Sequence, residues 1–382
     1  MPYWRLSSVY FFYFSVVGAL SPYWGIYLQS LGFQSHQIGI IFAVPMITKL
    51  IAPNVWSWFS DRSGQRMLVM RMGALGACVF FVGIFIRHDY AGLIIFTALY
   101  SVFWNAVLPQ FEAVTLTFLG DRAEHYSKVR LWGSVGFICA VVGLGWVFER
   151  VAITWLPVFI LSFLVGIFIF SCALPPLTLQ SHGNKRGDFV KTLFSNRVCL
   201  FFIALMFLQL SHGVYYVFYS IYLEAHGYAK FSIGLLWAIG VVSEIIIFLY
   251  VPQLFKKFSL FSLLYFSFLM TALRWLVIGA FPENIPLVML AQLVHALSFG
   301  VVHAVAIQFI KSTFSDRSQG QAQAFYSASS FGGGAALGAY LSGLLWDISP
   351  QLTFNLAALS AVCAWLLCVV FLRNRIGAPI PS

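Results

Sequence analysis

The amino-acid sequence predicts an all-α polytopic membrane protein: twelve transmembrane helices in two pseudo-symmetric six-helix halves. Three observations carry this expectation. Of 382 residues, 60% are hydrophobic and only 9% charged, against roughly 25% charged in a soluble domain. Apolar stretches of about 20 residues, long enough to cross a bilayer, recur from Leu6 to Leu372 with short polar interruptions. Finally, YLQSLGFQSHQIGI at 27–40 is echoed by YLEAHGYAKFSIGL at 222–235, and the same shift of 195 residues carries Asp121-Arg122 onto Asp316-Arg317 and Asp61-Arg62 onto Lys256-Lys257. Parallel halves of this kind are a transporter architecture, with the substrate site between them near the midplane. The apolar runs are continuous, whereas barrel strands would alternate, so helices are expected throughout.

The first span, 6–28, follows Arg5 and passes Pro22 and Tyr23 without a small-residue cleavage site, so it is expected to remain as a span. The second, 36–59, gives way to a charged loop at Asp61, Arg62 and Arg66; Arg87 and Asp89 separate the third, 67–86, from the fourth, 91–119. Asp121, Arg122, Glu124 and Lys128 precede the fifth, 130–148, and Arg150 the sixth, 155–174. Residues 175–197, with Pro175-Pro176, Lys185, Arg186, Asp188, Lys191 and Arg197, read as a cytoplasmic linker between halves 1–174 and 198–382. Spans 198–223, 231–252, 260–281, 286–310, 321–345 and 354–372 follow, with Lys230, Lys256-Lys257, Lys311 and Arg317 between them and Arg373 and Arg375 after the last. With the N-terminus in the cytoplasm, only Arg87, Arg150 and Lys230 fall on the far side. The positive-inside rule then places both termini in the cytoplasm, and the expected location is a bacterial inner membrane. The net charge of +10 is distributed over these loops, with no basic domain, so no nucleic-acid partner is expected.

Ionisable groups inside hydrocarbon are costly, about 2.5–3.5 kcal/mol each on insertion scales, which makes them functional candidates. Only two of the 12 acidic residues, Glu112 and Glu244, fall well inside predicted spans. The alternative for each is a helix-to-helix ion pair that fastens the bundle. Their basic counterparts are Lys49, Arg130 and Arg274. Three cations against two carboxylates leave one positive charge that a substrate carboxylate would neutralise, unless Arg130 snorkels to the interface. Asn105 and Pro109 share the face of Glu112 at helical spacing. His295 and His303 lie on one stripe of the tenth span, about 12 Å apart in rise, which suits either a proton path or hydrogen-bonded packing. Gln209, His212, Tyr216 and Tyr219 form a polar and aromatic stripe; among 40 Phe, 17 Tyr and 12 Trp, only Tyr216 and Tyr219 are singled out for a substrate ring. Gly332, Gly333, Gly334 and Gly338, with Gly133 and Gly136, suit close helix packing. The six cysteines lie in apolar runs with no CxxC pair and read as small core residues; no metal site is expected.

The loop SWFSDRSGQR at 57–66 resembles the major facilitator signature GxxxDRxGRR through Asp61, Arg62, Gly64 and Arg66, with Ser57 and Gln65 as departures. A more specific resemblance is to the lactose permease branch of that superfamily. Glu112 and Arg130, the latter followed by LWGSVGF, resemble its substrate-binding carboxylate and arginine; Glu244, Arg274 and His295 resemble members of its proton-coupling and binding network. Ser298 departs from the glutamate that the permease carries three residues after that histidine. Within this branch, YSKVRLWGSVGF at 126–137, GVVSEIIIF at 240–248 and RWLVIGA at 274–280 resemble bacterial transporters of 3-phenylpropionate (hydrocinnamate).

The resemblance implies a proton-coupled secondary transporter that imports a small aromatic carboxylate by alternating access. Lys49, Arg274, Glu112, Arg130, Asn105, Tyr216 and Tyr219 are the expected substrate-binding residues, Glu244, His295 and His303 the proton-coupling ones, and Asp61, Arg62, Gly64 and Arg66 the gating loop. Glu112 and Arg130 are expected to form a switchable pair. The driving force is a proton gradient, without a cofactor, and a monomer is the family expectation. A sugar or nucleoside symporter, or an exporter, remains open. A membrane enzyme or sensor is remote, since no HExxH, nucleophile elbow or phosphate loop is present.

Overall fold

In the computed structural model, residues 2–176 and 188–372 are described. Lys185, Arg186, Arg373 and Arg375, with residues 177–187 of the expected linker, lie outside the described residues. No strand occurs among the described residues. In hydrocarbon every backbone N–H must be satisfied within its own segment, so the apolar runs become helices. Among the described residues, eleven helices are long and apolar enough to span a bilayer: α1 (Tyr3–Ser30), α2 (Ser35–Ser63), α3 (Arg66–Ile86), α4 (Tyr90–Leu119), α5 (Tyr126–Val147), α6 (Ile153–Cys172), α7 (Asn196–Ala225), α8 (Lys230–Lys257), α9 (Leu260–Ala280), α10 (Ile285–Thr313) and α12 (Pro350–Val369). The remaining expected span is α11, residues 316–346, which is segmented: Asp316–Tyr326, a π-helical stretch Ser327–Gly334, then Ala335–Trp346. Its first segment, DRSQGQAQAFY, is polar, and the glycine-rich centre adopts the wider π turn.

Local chemistry sets the helix ends. Gly64 closes α2 with φ 67, a left-handed conformation that costs glycine nothing. Asp89 caps α4 by accepting from the Gly92 N–H. The hydrogen-bonded Arg87 guanidinium beside it pulls the Asp89 carboxyl down to about 2, so it is ionised at physiological pH. The C-terminal end of α6 is held by two arginines from other helices: Arg5 donates to the Ala173 carbonyl at 2.9 Å, and Arg71 to those of Ser171 at 3.2 Å and Leu174 at 3.0 Å. Guanidinium groups suit the negative end of a helix.

Contacts divide the chain into two compact units, Met1–His182 with Val217–Ala238, and Gly183–Tyr216 with Ile239–Ser382. The break between the two units falls within residues 175–197, and residues 217–238, expected in the C-terminal half, group with the first unit. Residues 217–238 join the first unit because their backbone is seated against its helices. The Tyr23 hydroxyl donates to the Val141 carbonyl and reaches that of Lys230 at 3.4 Å. A Cβ on Gly25 would lie 2.7 Å from the Val217 carbonyl oxygen, and one on Gly145 equally close to that of Lys230. Glu149 accepts from the Phe231 N–H at 3.3 Å, where α8 begins.

In the first unit, α1 and α5 meet backbone to backbone. A Cβ on Gly136 would run into the Phe11 carbonyl, and Ser15 donates to the Gly136 carbonyl at 3.1 Å. Gly136→Val should therefore cost about 1–3 kcal/mol and lower the melting temperature of the detergent-solubilised protein. Gly143→Ala, at a site with nothing within 4 Å, should leave it unchanged. In the second unit, Phe201 stacks on Phe309 at 3.9 Å, and Gly213 of α7 is seated on the backbone of α11 at Gly338.

Many large apolar side chains face outward, Ile51, Trp58, Ile246 and Leu249 among them, as expected where lipid replaces water. Cys139, Cys172 and Cys199 are also exposed, whereas the sequence reading put them in the core; Cys78 and Cys368 are buried. Cysteine is small and apolar enough for either side of a span.

Candidate functional site

The densest buried polar cluster described lies in the second unit, on α7, α8, α9 and α10. Arg274 of α9 is only 1% exposed. Its guanidinium donates to Ser298 Oγ at 3.0 Å, to Gln292 Oε1 at 3.3 Å and to His295 Nδ1 at 3.1 Å. It also lies 4.4 Å from the Tyr215 ring and 4.5 Å from that of Trp275, a cation-to-aromatic arrangement that tolerates burial. Tyr215 donates its hydroxyl to the same Gln292 oxygen at 3.0 Å.

These bonds fix the histidine. A guanidinium has only donors, so His295 Nδ1 is the acceptor and the ring proton resides on Nε2. That atom faces Glu244 Oε2 across 3.7 Å. Arg274, His295 and Glu244 thus form a chain in which an imidazole sits between a permanent cation and a carboxylate. Gly300, on the π-helical stretch Ala296–Val301 of α10, leaves room for the glutamate: a Cβ there would lie 3.3 Å from Glu244 Cγ. π turns are rare and concentrate at functional sites. Ser298 is part of this cluster through Arg274.

His303 lies farther along α10, with Phe299 stacked between it and His295 at 6.2 and 5.5 Å. Its Nδ1 is 3.4 Å from the Tyr326 hydroxyl. Tyr216 pairs with Tyr215 at 5.8 Å and with His212 at 5.9 Å in this unit, while Tyr219 belongs to the first unit, beside Trp237 at 5.9 Å.

The first unit holds a second cluster. Glu112 accepts from the Tyr126 hydroxyl at 3.3 Å. Arg130 lies 4.0 Å over the Phe14 ring and 5.6 Å from that of Tyr10. In this structure no ion pair joins Arg130 to Glu112, because each is occupied by an aromatic neighbour that the sequence reading did not include. Tyr13 and Trp104 stack at 5.0 Å. Asn105 turns toward α2, where its amide donates to the Pro45 carbonyl at 3.1 Å and the Thr48 hydroxyl at 3.0 Å, so its contacts here tie two helices together. Lys49 shares the face of Phe42, Pro45 and Trp56 on α2 and makes no hydrogen bond or ion pair with any described residue. In the loop, Asp61 and Arg66 pair at 2.6 Å and Arg62 lies 5.8 Å from the Trp58 ring.

Tyr126, Gln292 and Tyr215 were missed by sequence reasoning. The one available signal was that Gln292 precedes His295 by three residues, on the same face of α10. Among the described residues, no group of three or more His, Cys, Asp or Glu side chains comes together to hold a metal.

The MFS_1 like family matches residues 3–356. A probable 3-phenylpropionic acid transporter of Escherichia coli (strain K12) is 30% identical over 99% of this chain and 98% of its own length. The maltose permease of Geobacillus stearothermophilus is 26% identical over 94% of this chain and 92% of its own. Among solved structures, the nucleoside transporter NupG superposes with a TM-score of 0.87 at 16% identity, covering 98% of this chain and 100% of that one. At that identity the likeness concerns the fold alone.

Proposed function

This chain belongs to the MFS_1 like family of integral membrane transporters, and from that premise we propose that it imports a small aromatic carboxylate, such as 3-phenylpropionate, with a proton by alternating access. The observation that carries the reading is the chain from the buried Arg274 through His295 to the half-buried Glu244. A second proton on the imidazole would oppose the guanidinium at Nδ1, so Glu244 is the group that gains and loses charge. His295 presents an N–H that stabilises its ionised form. His303 and Tyr326 extend the path along α10.

Lys49 supplies the reason for an anionic cargo. An ammonium inside a span without a protein counter-ion is expensive, and a substrate carboxylate relieves that cost. Glu112 and Arg130 pair with each other in another stage of the cycle, with the loop at Asp61, Arg62, Gly64 and Arg66 acting at the gate. The basic loop residues orient the protein with both termini in the cytoplasm of a bacterial cell, in the inner membrane. It acts as a monomer driven by the proton gradient alone. The relationship to a maltose permease favours a sugar symporter as the second reading.

Uptake of labelled 3-phenylpropionate by proteoliposomes, with and without an inward proton gradient and with unlabelled galactoside, maltose or nucleoside as competitors, tests the proposal. The expected result is gradient-driven accumulation indifferent to all three competitors, with Lys49→Met raising the half-saturating concentration at least about tenfold, the equivalent of roughly 1.4 kcal/mol. Transport of a sugar or nucleoside in place of the acid would refute the aromatic-acid reading.

A further inference from the structure

Among the buried polar atoms of the second unit with no hydrogen-bond partner among the described residues are His212 Nε2 and Gln209 Oε1 on α7, and Gln292 Nε2 on α10. Buried polar groups are nearly always paired, and each exception calls for an explanation.

His212 is the most informative. It is fully buried, and its Nδ1 lies 2.9 Å from the Leu208 carbonyl oxygen. A carbonyl only accepts, so Nδ1 carries the proton and Nε2 presents a bare lone pair. Aromatic rings flank the imidazole, the edge of Trp275 at 5.0 Å and Tyr216 at 5.9 Å. Trp275 is also the ring against which Arg274 lies. Gln292 Nε2 offers N–H donors beside that guanidinium. The unit therefore presents donors for an anion at one place, an acceptor in need of a donor at another, and aromatic rings around both. His212 also stands at the break in α7, where the helix Asn196–Ser211 ends and Gly213–Ala225 begins.

Building on the aromatic-acid reading above, we propose that His212 Nε2 accepts a hydrogen bond from a hydroxyl on the substrate's ring, so that the preferred cargo is a ring-hydroxylated arylcarboxylate. A cationic donor is disfavoured by the nearby Arg274. Gln209 Oε1, three residues before His212, offers a second acceptor on the same side of the helix.

The test compares proteoliposome uptake of 3-phenylpropionate with that of its 3-hydroxyphenyl and 4-hydroxyphenyl analogues. Wild type should take one hydroxylated analogue with a half-saturating concentration roughly tenfold lower, the factor that accompanies satisfying one buried acceptor. His212→Phe should bring the ratio close to one, while His212→Gln, which keeps an acceptor oxygen, should retain part of the preference. A wild-type protein that carries 3-phenylpropionate without preferring either analogue overturns this inference and leaves the aromatic-acid reading intact. A preference that survives in His212→Phe overturns it too. Failure to carry any arylpropionate, with a sugar carried instead, overturns both. The wild-type ratio needs no variant, so a misfolded His212→Phe does not shelter the proposal.

Discussion

Glu244→Gln is expected to abolish proton-driven accumulation while leaving substrate exchange across the membrane in place. A gradient of about two pH units stores about 2.7 kcal/mol per proton, enough for roughly hundredfold accumulation if one proton moves with each substrate. A carboxamide of nearly the same shape keeps an oxygen toward His295 Nε2 at the position now 3.7 Å away, but it cannot take up a proton. Uptake in proteoliposomes should then stop at equal concentrations inside and out, whatever the gradient, and counterflow of labelled against unlabelled substrate should continue. Accumulation at the wild-type level would place the transported proton on another group. His295→Gln is the companion variant. If the imidazole orients Glu244 without itself carrying the proton, that change shifts the pH profile of uptake and does not eliminate coupling.

The largest effect on stability is expected from Arg274→Leu. The guanidinium donates to His295, Ser298 and Gln292 and lies against Tyr215 and Trp275. Removing it takes its donors from His295 Nδ1 and Ser298 Oγ and leaves Gln292 Oε1 with the Tyr215 hydroxyl alone, and breaking a buried charged network in this way costs on the order of 3–5 kcal/mol. Size-exclusion profiles after a temperature series should show the variant leaving the monodisperse peak well before wild type. Arg274→Lys should fall between them, because an ammonium keeps the charge but cannot reproduce the planar fork that reaches three partners at once. A leucine variant as heat-resistant as wild type would mean that packing alone, such as Phe201 on Phe309, holds the second unit together.

The sequence determined by itself that the chain is a bundle of membrane-spanning helices, since hydrocarbon leaves an apolar run no other way to satisfy its backbone. It also marked Glu112, Glu244, Arg274 and Lys49, because an ionisable residue in such a run stands out by its cost. Neutral polar residues carry no such mark: Gln292, Tyr126 and the orphan lone pair of His212 became visible only through their surroundings. Pairing was likewise a tertiary matter. Arg130 lies on Phe14 and Glu112 on Tyr126, although their charges and spacing pointed to each other, and Asn105 on the Glu112 face is turned to Pro45. The π-helical break at Ser327–Gly334 of α11 was visible only in the structure, and where 217–238 would be seated was decided by close backbone approaches at Gly145 and Gly234. Helical periodicity determines which face a side chain occupies, but only packing against other helices determines which atom it meets.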